Sequence, residues 1–285
     1  MAAGAAVDYV IGRAMKAHRD DGEALVGLAT AGVRLFRRQI QNSLAVVPEI
    51  QNGGRWDRSS GKWMPPLQHH YYGLDLGDEA VARMERRIVE CLGEFESGAV
   101  WERIRRVSPA AWHPLGKMDG RDVPSFLTSC GVKVWSAVDF AMVDGDMAHV
   151  VDWKSGVPSP SAQEAARDQL AVYAMWACRH YGLRPERVQV QAVWLQAPTA
   201  WEPQTVDDVR LRSVAKRIKA EVAAEEARLE IRLNVRGRRV QRKAPRENFP
   251  PRPGTKRCVE CRFRELCPEG QRECAHLQTT AALAV

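Results

Sequence analysis

Apolar positions recur at near-helical spacing over residues 8–43 (Val10, Ala14, Leu25, Leu28, Val33, Leu35, Phe36, Ile40), with basic residues between them. They predict one or two helices, broken near residues 19–22. Residues 48–66 gather turn formers and predict a loop. A stronger stripe, Val81, Met84, Ile88, Leu92, Phe95 and Ile104, predicts one long amphipathic helix over 78–107. From 108 to 129 the pattern dissolves into Pro, Gly and charge. The period then changes. Two apolar runs, 132–143 and 146–154, are joined by Asp144-Gly145, a tight-turn dipeptide that predicts a β-hairpin. Ser161-Ala-Gln-Glu164 has the form of a capping box and opens a helix to about Tyr181. Residues 188–195 alternate as a strand, and 206–235 predict another long charged helix. Helix, hairpin, helix and strand in that order predict an α/β (α+β) domain.

The hairpin register carries chemistry. With Asp144 and Gly145 in the turn, Asp139 lies opposite Val150 and Asp152 opposite Ala137. Side chains alternate along a strand, so Asp139, Asp152 and Lys154 share one face. The carboxylates are then diagonal neighbours, roughly 7–8 Å apart at the backbone. That spacing suits two oxygens holding one divalent cation, and Mg²⁺ takes one or two carboxylates with waters and substrate phosphate. Gln169 and Tyr173, four positions apart, share one face of the following helix. Singly these residues have plainer readings: an edge-strand charge, a solvated ion pair, a buried aromatic. Together, Asp152 and Lys154 place opposite charges at the end of a run that otherwise reads as buried.

Composition sharpens this picture. A net charge of +7 and a pI near 9.2 favour a polyanionic partner. No run approaches a membrane span, and the start lacks the charged-then-apolar form of a signal peptide, so a cytoplasmic protein is expected. Trp56 and Trp63 interleave with Arg55, Arg58 and Lys62, a composition that either stacks bases or pins a loop to the core. Residues 236–257 hold nine Lys or Arg against Glu247 alone, with prolines at 245, 250, 251 and 253, and read as a basic linker able to meet phosphates. Seven cysteines, clustered late, read as thiols or metal ligands rather than a disulfide framework. Cys258-x2-Cys261-x5-Cys267, with Cys274 behind, suits an iron–sulfur cluster or zinc, and zinc would accept Cys274 or His276. The expected division is a helical part over 1–130, a core over 131–235, and a basic, cysteine-rich segment over 236–285.

Asp139, Asp152-Trp153-Lys154-Ser155-Gly156, then Gln169 and Tyr173 resemble the RecB-like and AddB-like branch of the PD-(D/E)XK nuclease superfamily. The resemblance covers about residues 67–267 and implies a restriction-endonuclease-like core. It also implies Asp139 and Asp152 as ligands of Mg²⁺ or Mn²⁺ and Lys154 as the catalytic lysine. Gln169 would contact substrate or metal water, and Tyr173 would support DNA. The late cysteines resemble the branch's 4Fe–4S clamp, with Cys274 nearest to serving as the fourth ligand. The branch adds an upstream histidine and glutamate as metal ligands; His18 is the candidate for the first, and Asp119 or Asp122 for the second, since no glutamate occurs between Glu102 and Glu164.

The resemblance implies a metal-dependent deoxyribonuclease, expected to act as an exonuclease on single strands or duplex ends in repair, recombination or the processing of foreign DNA. No Walker-type phosphate loop occurs, so a helicase, recombination or CRISPR-type partner would be a separate chain. A catalytically impaired DNA-binding module of the same fold is the second reading. A zinc-ribbon-like interaction protein is the third.

Overall fold

The computed structural model describes residues 2–54, 65–74, 76–113, 124–128, 131–229, 232–233, 239–240, 245–259, 261 and 263–282. The chain divides into two compact units, one from residues 1–36 and 83–222, the other from 37–82 and 223–285.

The stretch read over 8–43 as one or two helices forms two, α1 (Ala2–Asp21) and α2 (Leu28–Gln51). The break falls just after residues 19–22, and α2 runs through Pro48 into the predicted loop. Trp56 and Trp63 lie outside the described residues. After the short α3 (Gln68–Tyr71), the long helix divides into α4 (Asp78–Ser97) and α5 (Ala99–Ile104). Gly98 causes the break. Its backbone is extended, and a Cβ there would sit 2.4 Å from Glu94 O and 2.5 Å from Thr199 Oγ1.

Strands β1 (Ser125–Leu127) and β2 (Lys133–Trp135) form a separate antiparallel ribbon. The main sheet holds β3 (Phe140–Asp144), β4 (Met147–Lys154), β5 (Val188–Trp194) and β6 (Gln204–Thr205) in that order. The outer pairs are antiparallel and β4·β5 is parallel, joined through α6 (Pro160–Tyr181). Helix α7 (Asp208–Leu229) follows. This mixed sheet with its helical N-terminal part fits the fold class expected.

Two details of the hairpin and α6 differ from the sequence reading. Asp144 pairs with Met147, so the turn residues are Gly145 and Asp146. Gly145 has φ 63°, as such a turn demands, while Asp144 stays in the strand and pairs with Arg103. Helix α6 is capped by Ser159, whose hydroxyl accepts from Ala162 N at 3.2 Å, and not by Ser161. Pro160 takes the first helical position, where its missing N–H has no cost. Gly182 closes the helix in the left-handed region.

Strand β4 is buried on both faces, which explains its nearly unbroken apolar run. Ala148 and Val150, with Val188 and Val190 of β5, pack on Tyr173, Ala174 and Ala177 of α6. On the opposite face Trp153 meets Phe95 of α4 and Phe140 meets Trp112, edge to face at 5.1 and 5.2 Å.

In the other unit, α3 is tied to the cysteine segment. Gln68 Nε2 donates to Val259 O and Cys261 O at 3.2 and 3.1 Å, and the Tyr71 hydroxyl to Glu265 at 3.0 Å. The buried Arg264 guanidinium lies 3.2 Å from the Tyr72 ring centroid. Helices α8 (Thr255–Val259) and α9 (Pro268–Ala282) carry Cys258 and Cys274.

Candidate active site

The site is built where β3 begins, β4 ends and α6 passes behind them. The observed register, extended by one residue, sets Asp139 directly opposite Asp152 and not diagonal to it. Sliding the turn by one residue shifts cross-strand pairing by two, so the shared face survives the error. Asp139 Oδ2 accepts from Trp153 N at 2.7 Å, which fixes its carboxylate at the end of β4.

Asp152 is 3% exposed. Its Oδ1 faces Gln169 Nε2 at 3.2 Å and the Tyr173 hydroxyl at 3.4 Å. Its Oδ2 lies 2.6 Å from the Lys154 ammonium, yet accepts no well-aligned hydrogen bond. Gln169 uses its whole amide. The oxygen accepts from Lys154 Nζ at 2.6 Å, and the nitrogen also donates to Tyr173 Oη at 2.6 Å. That oxygen can only be the end facing the ammonium, since Lys has no acceptor to offer an NH₂ group. Tyr173 Oη in turn donates to Ala137 O at 3.0 Å. The structure thus brings Asp139, Asp152, Lys154, Gln169 and Tyr173 into one cluster.

Burial, followed by the charge of Asp139, pushes the Asp152 carboxyl up to about 7, with Lys154 opposing. Burial and the same two carboxylates push the Tyr173 phenol well above its usual range, so it serves as a neutral donor. The loop after Lys154 is held by a residue that sequence reading missed. Arg87 of α4 donates to Ser155 O at 2.5 Å and to Ser155 Oγ at 3.1 Å. No linear signal marks it, because it lies 68 positions from its partner on a helix face rich in arginine.

The sequence profile of the PD-(D/E)XK nuclease superfamily matches residues 63–268, more than half of the chain and spanning every residue of this cluster. The chain belongs to the PD-(D/E)XK nuclease superfamily. Neither the curated proteins nor the solved structures offer a significant match.

Members of this superfamily typically use Mg²⁺ or Mn²⁺, and the donor set fits. Two crowded carboxylates, one with a buried oxygen lacking an aligned donor, would suit the one or two protein ligands that Mg²⁺ takes alongside water and phosphate. A larger protein ligand set is not seen: among the described residues no three His, Cys, Asp or Glu side chains gather as around a metal ion. His18 is half-buried beside Trp101 and Trp112, its Nδ1 2.8 Å from Glu23 O, and does not join the two carboxylates as a third potential ligand. Asp119 and Asp122 lie outside the described residues.

The same finding bears on the cysteines. Cys258 and Cys274 are buried and Cys261 and Cys267 half-buried, and all four are free thiols. Gly270 N donates to Cys267 Sγ at 3.4 Å. Among the described residues no three of these thiols gather as around a metal ion, so the arrangement as it stands does not fit a cluster or zinc. No described helix is long and apolar enough to cross a membrane.

Proposed function

We propose that this nuclease-superfamily chain hydrolyses DNA phosphodiester bonds with Asp139 and Asp152 as ligands of a Mg²⁺ or Mn²⁺ ion. The observation that carries the reading is the closed cluster Asp152–Lys154–Gln169–Tyr173 set opposite Asp139. Asp139 and Asp152 would hold the divalent ion, which would supply charge against the phosphate oxygens and lower the pKa of bound water. Lys154 holds a positive charge at the same place, aimed by the Gln169 oxygen and ready to face the negative charge that builds on the phosphate. Gln169 orients both Lys154 and Asp152, and Tyr173 fixes Gln169 against the Ala137 carbonyl. Cleavage leaves a phosphate on one side of the broken bond and a hydroxyl on the other.

The RecB-like branch, exonuclease action on strand ends and a place in DNA repair belong to the same proposal, supported by the Asp-Trp-Lys-Ser-Gly and Gln-x3-Tyr spacing. The 4Fe–4S cluster rests on cysteine spacing alone, and no step passes through it. The test is cleavage of labelled linear single- and double-stranded DNA in Mn²⁺, in EDTA, and by Asp152→Ala and Lys154→Ala. Metal-dependent cutting by the parent, lost in both variants, is expected. Cutting retained by Asp152→Ala removes the site as drawn, and DNA binding without cutting by the parent selects the binding-module reading.

A further inference from the structure

Strands β1 and β2 pair Ser125 with Trp135 and Leu127 with Lys133, which puts these four on one face of the ribbon. The opposite face is anchored. Phe126 is buried under Arg179, 4.6 Å from its ring centroid, and Val134 packs on the α6 core. Thr128 ties the far end: its N–H and hydroxyl both donate to Val132 O, and its Oγ1 accepts from Val132 N. The ribbon is therefore held firmly, yet its outer face keeps Leu127 64% and Trp135 57% exposed. Full burial of such side chains stabilises by about 1.5–3 kcal/mol each, and nothing described in the fold collects it. Lys133 Nζ lies 3.8 Å from the Trp135 ring centroid, so a cation is set into the apolar face.

The chain leads from this face into the candidate active site. Ser136 and Val138 are buried, while Trp135 and Ala137 are exposed and Asp139 half-buried. The alternation leaves Trp135, Ala137 and Asp139 the less buried side chains, and the backbone turns tightly at Ala137, where Val138 N donates to Ser136 O at 2.7 Å. Ala137 contributes the carbonyl that anchors Tyr173, so the ribbon and the site are joined by one short stretch of backbone.

We propose that Leu127, Lys133 and Trp135 form a platform for unpaired DNA, with bases against the indole and Leu127 and a phosphate at Lys133. The proposal rests on the nuclease reading above and names its substrate as single-stranded DNA, or a frayed end, leading to Asp139. An indole presents a flat apolar face that every base can stack on, and a base inside a duplex has no free face to give it. The ammonium beside the ring selects a partner that is both aromatic and anionic, in keeping with the chain's net charge of +7.

The experiment is fluorescence anisotropy with labelled oligo-dT and a blunt duplex, in EDTA so that no cleavage occurs. The proteins are the parent, Trp135→Ala, Leu127→Ala/Trp135→Ala and Trp135→Phe, with folding checked by circular dichroism. Oligo-dT affinity is expected to fall about ten-fold or more in the double variant and to be largely restored by Trp135→Phe. Blunt-duplex affinity is expected to change by less than about two-fold, since the stacked base is the lost contact. Lys133→Ala is expected to reduce the salt dependence of binding by about one phosphate contact. Oligo-dT affinity unchanged in the folded double variant overturns the platform. So does a variant that alters self-association on gel filtration while binding DNA as before, which would make the face a protein interface. Because binding is read without metal, these outcomes are independent of whether the parent cleaves.

Discussion

The side-chain oxygen of Gln169 lies 2.6 Å from the Lys154 ammonium, a lysine fifteen positions earlier on a neighbouring strand. The same amide reaches Asp152 and Tyr173, so one neutral side chain aligns a cation, a carboxylate and a phenol.

Removing that alignment separates positioning from charge. Gln169→Ala is expected to lower metal-dependent cleavage by about 10- to 100-fold, as loss of an orienting partner does elsewhere. Lys154→Ala is expected to cost about 100- to 1,000-fold. The double variant should fall short of the product of the two single losses, because Gln169 acts in part through the lysine. Single-turnover rates on labelled DNA measure all three; strictly multiplicative losses would show that Gln169 works independently.

Asp152 makes stability depend on pH. Its folded carboxyl is pushed up to about 7, against 3.8 for an ordinary aspartate. The folded value is the higher one, so ionising Asp152 opposes folding: its penalty is absent below about pH 4, grows as pH rises through 7, and is then constant. Asp152→Asn, in EDTA, should therefore melt several degrees above the parent at pH 8, with the gap shrinking at pH 5. An equal gap at both values would refute the assignment.

Metal should reverse the order. At pH 8, added Mn²⁺ is expected to raise the melting temperature of the parent by an amount that grows with the logarithm of its concentration. Asp139→Asn and Asp152→Asn should lose that rise. The parent's own response should weaken below pH 7, where a proton competes at Asp152.

Tyr173→Phe keeps the buried ring and deletes the hydroxyl that joins Gln169 to Ala137 O. A loss of about 1–2 kcal/mol in urea unfolding is expected, together with reduced cleavage. Unchanged stability would mean that water replaces the hydroxyl.

Gly98→Ala tests the break between α4 and α5. Its methyl would meet Glu94 O, a backbone atom that cannot swing aside. Destabilisation of about 1–3 kcal/mol is expected in thermal or urea unfolding.

The sequence by itself determined the face on which Asp139, Asp152 and Lys154 lie, because alternation is local and tolerates a turn displaced by one residue. It also determined α6 and the common face of Gln169 and Tyr173, since helical spacing needs no partner. Only the tertiary structure decided that Asp139 stands directly opposite Asp152, for the turn was set by Asp144 remaining in its strand with Arg103 as partner. It alone decided that the apolar run over 132–143 splits between two sheets, because Ser136–Asp139 forms a turned link, with Val138 N bonded to Ser136 O, rather than a paired strand. Arg87 reaching Ser155 and His18 packed on Trp101 are likewise tertiary facts. Each depends on contacts between elements far apart in the chain, and such contacts leave no periodicity to read.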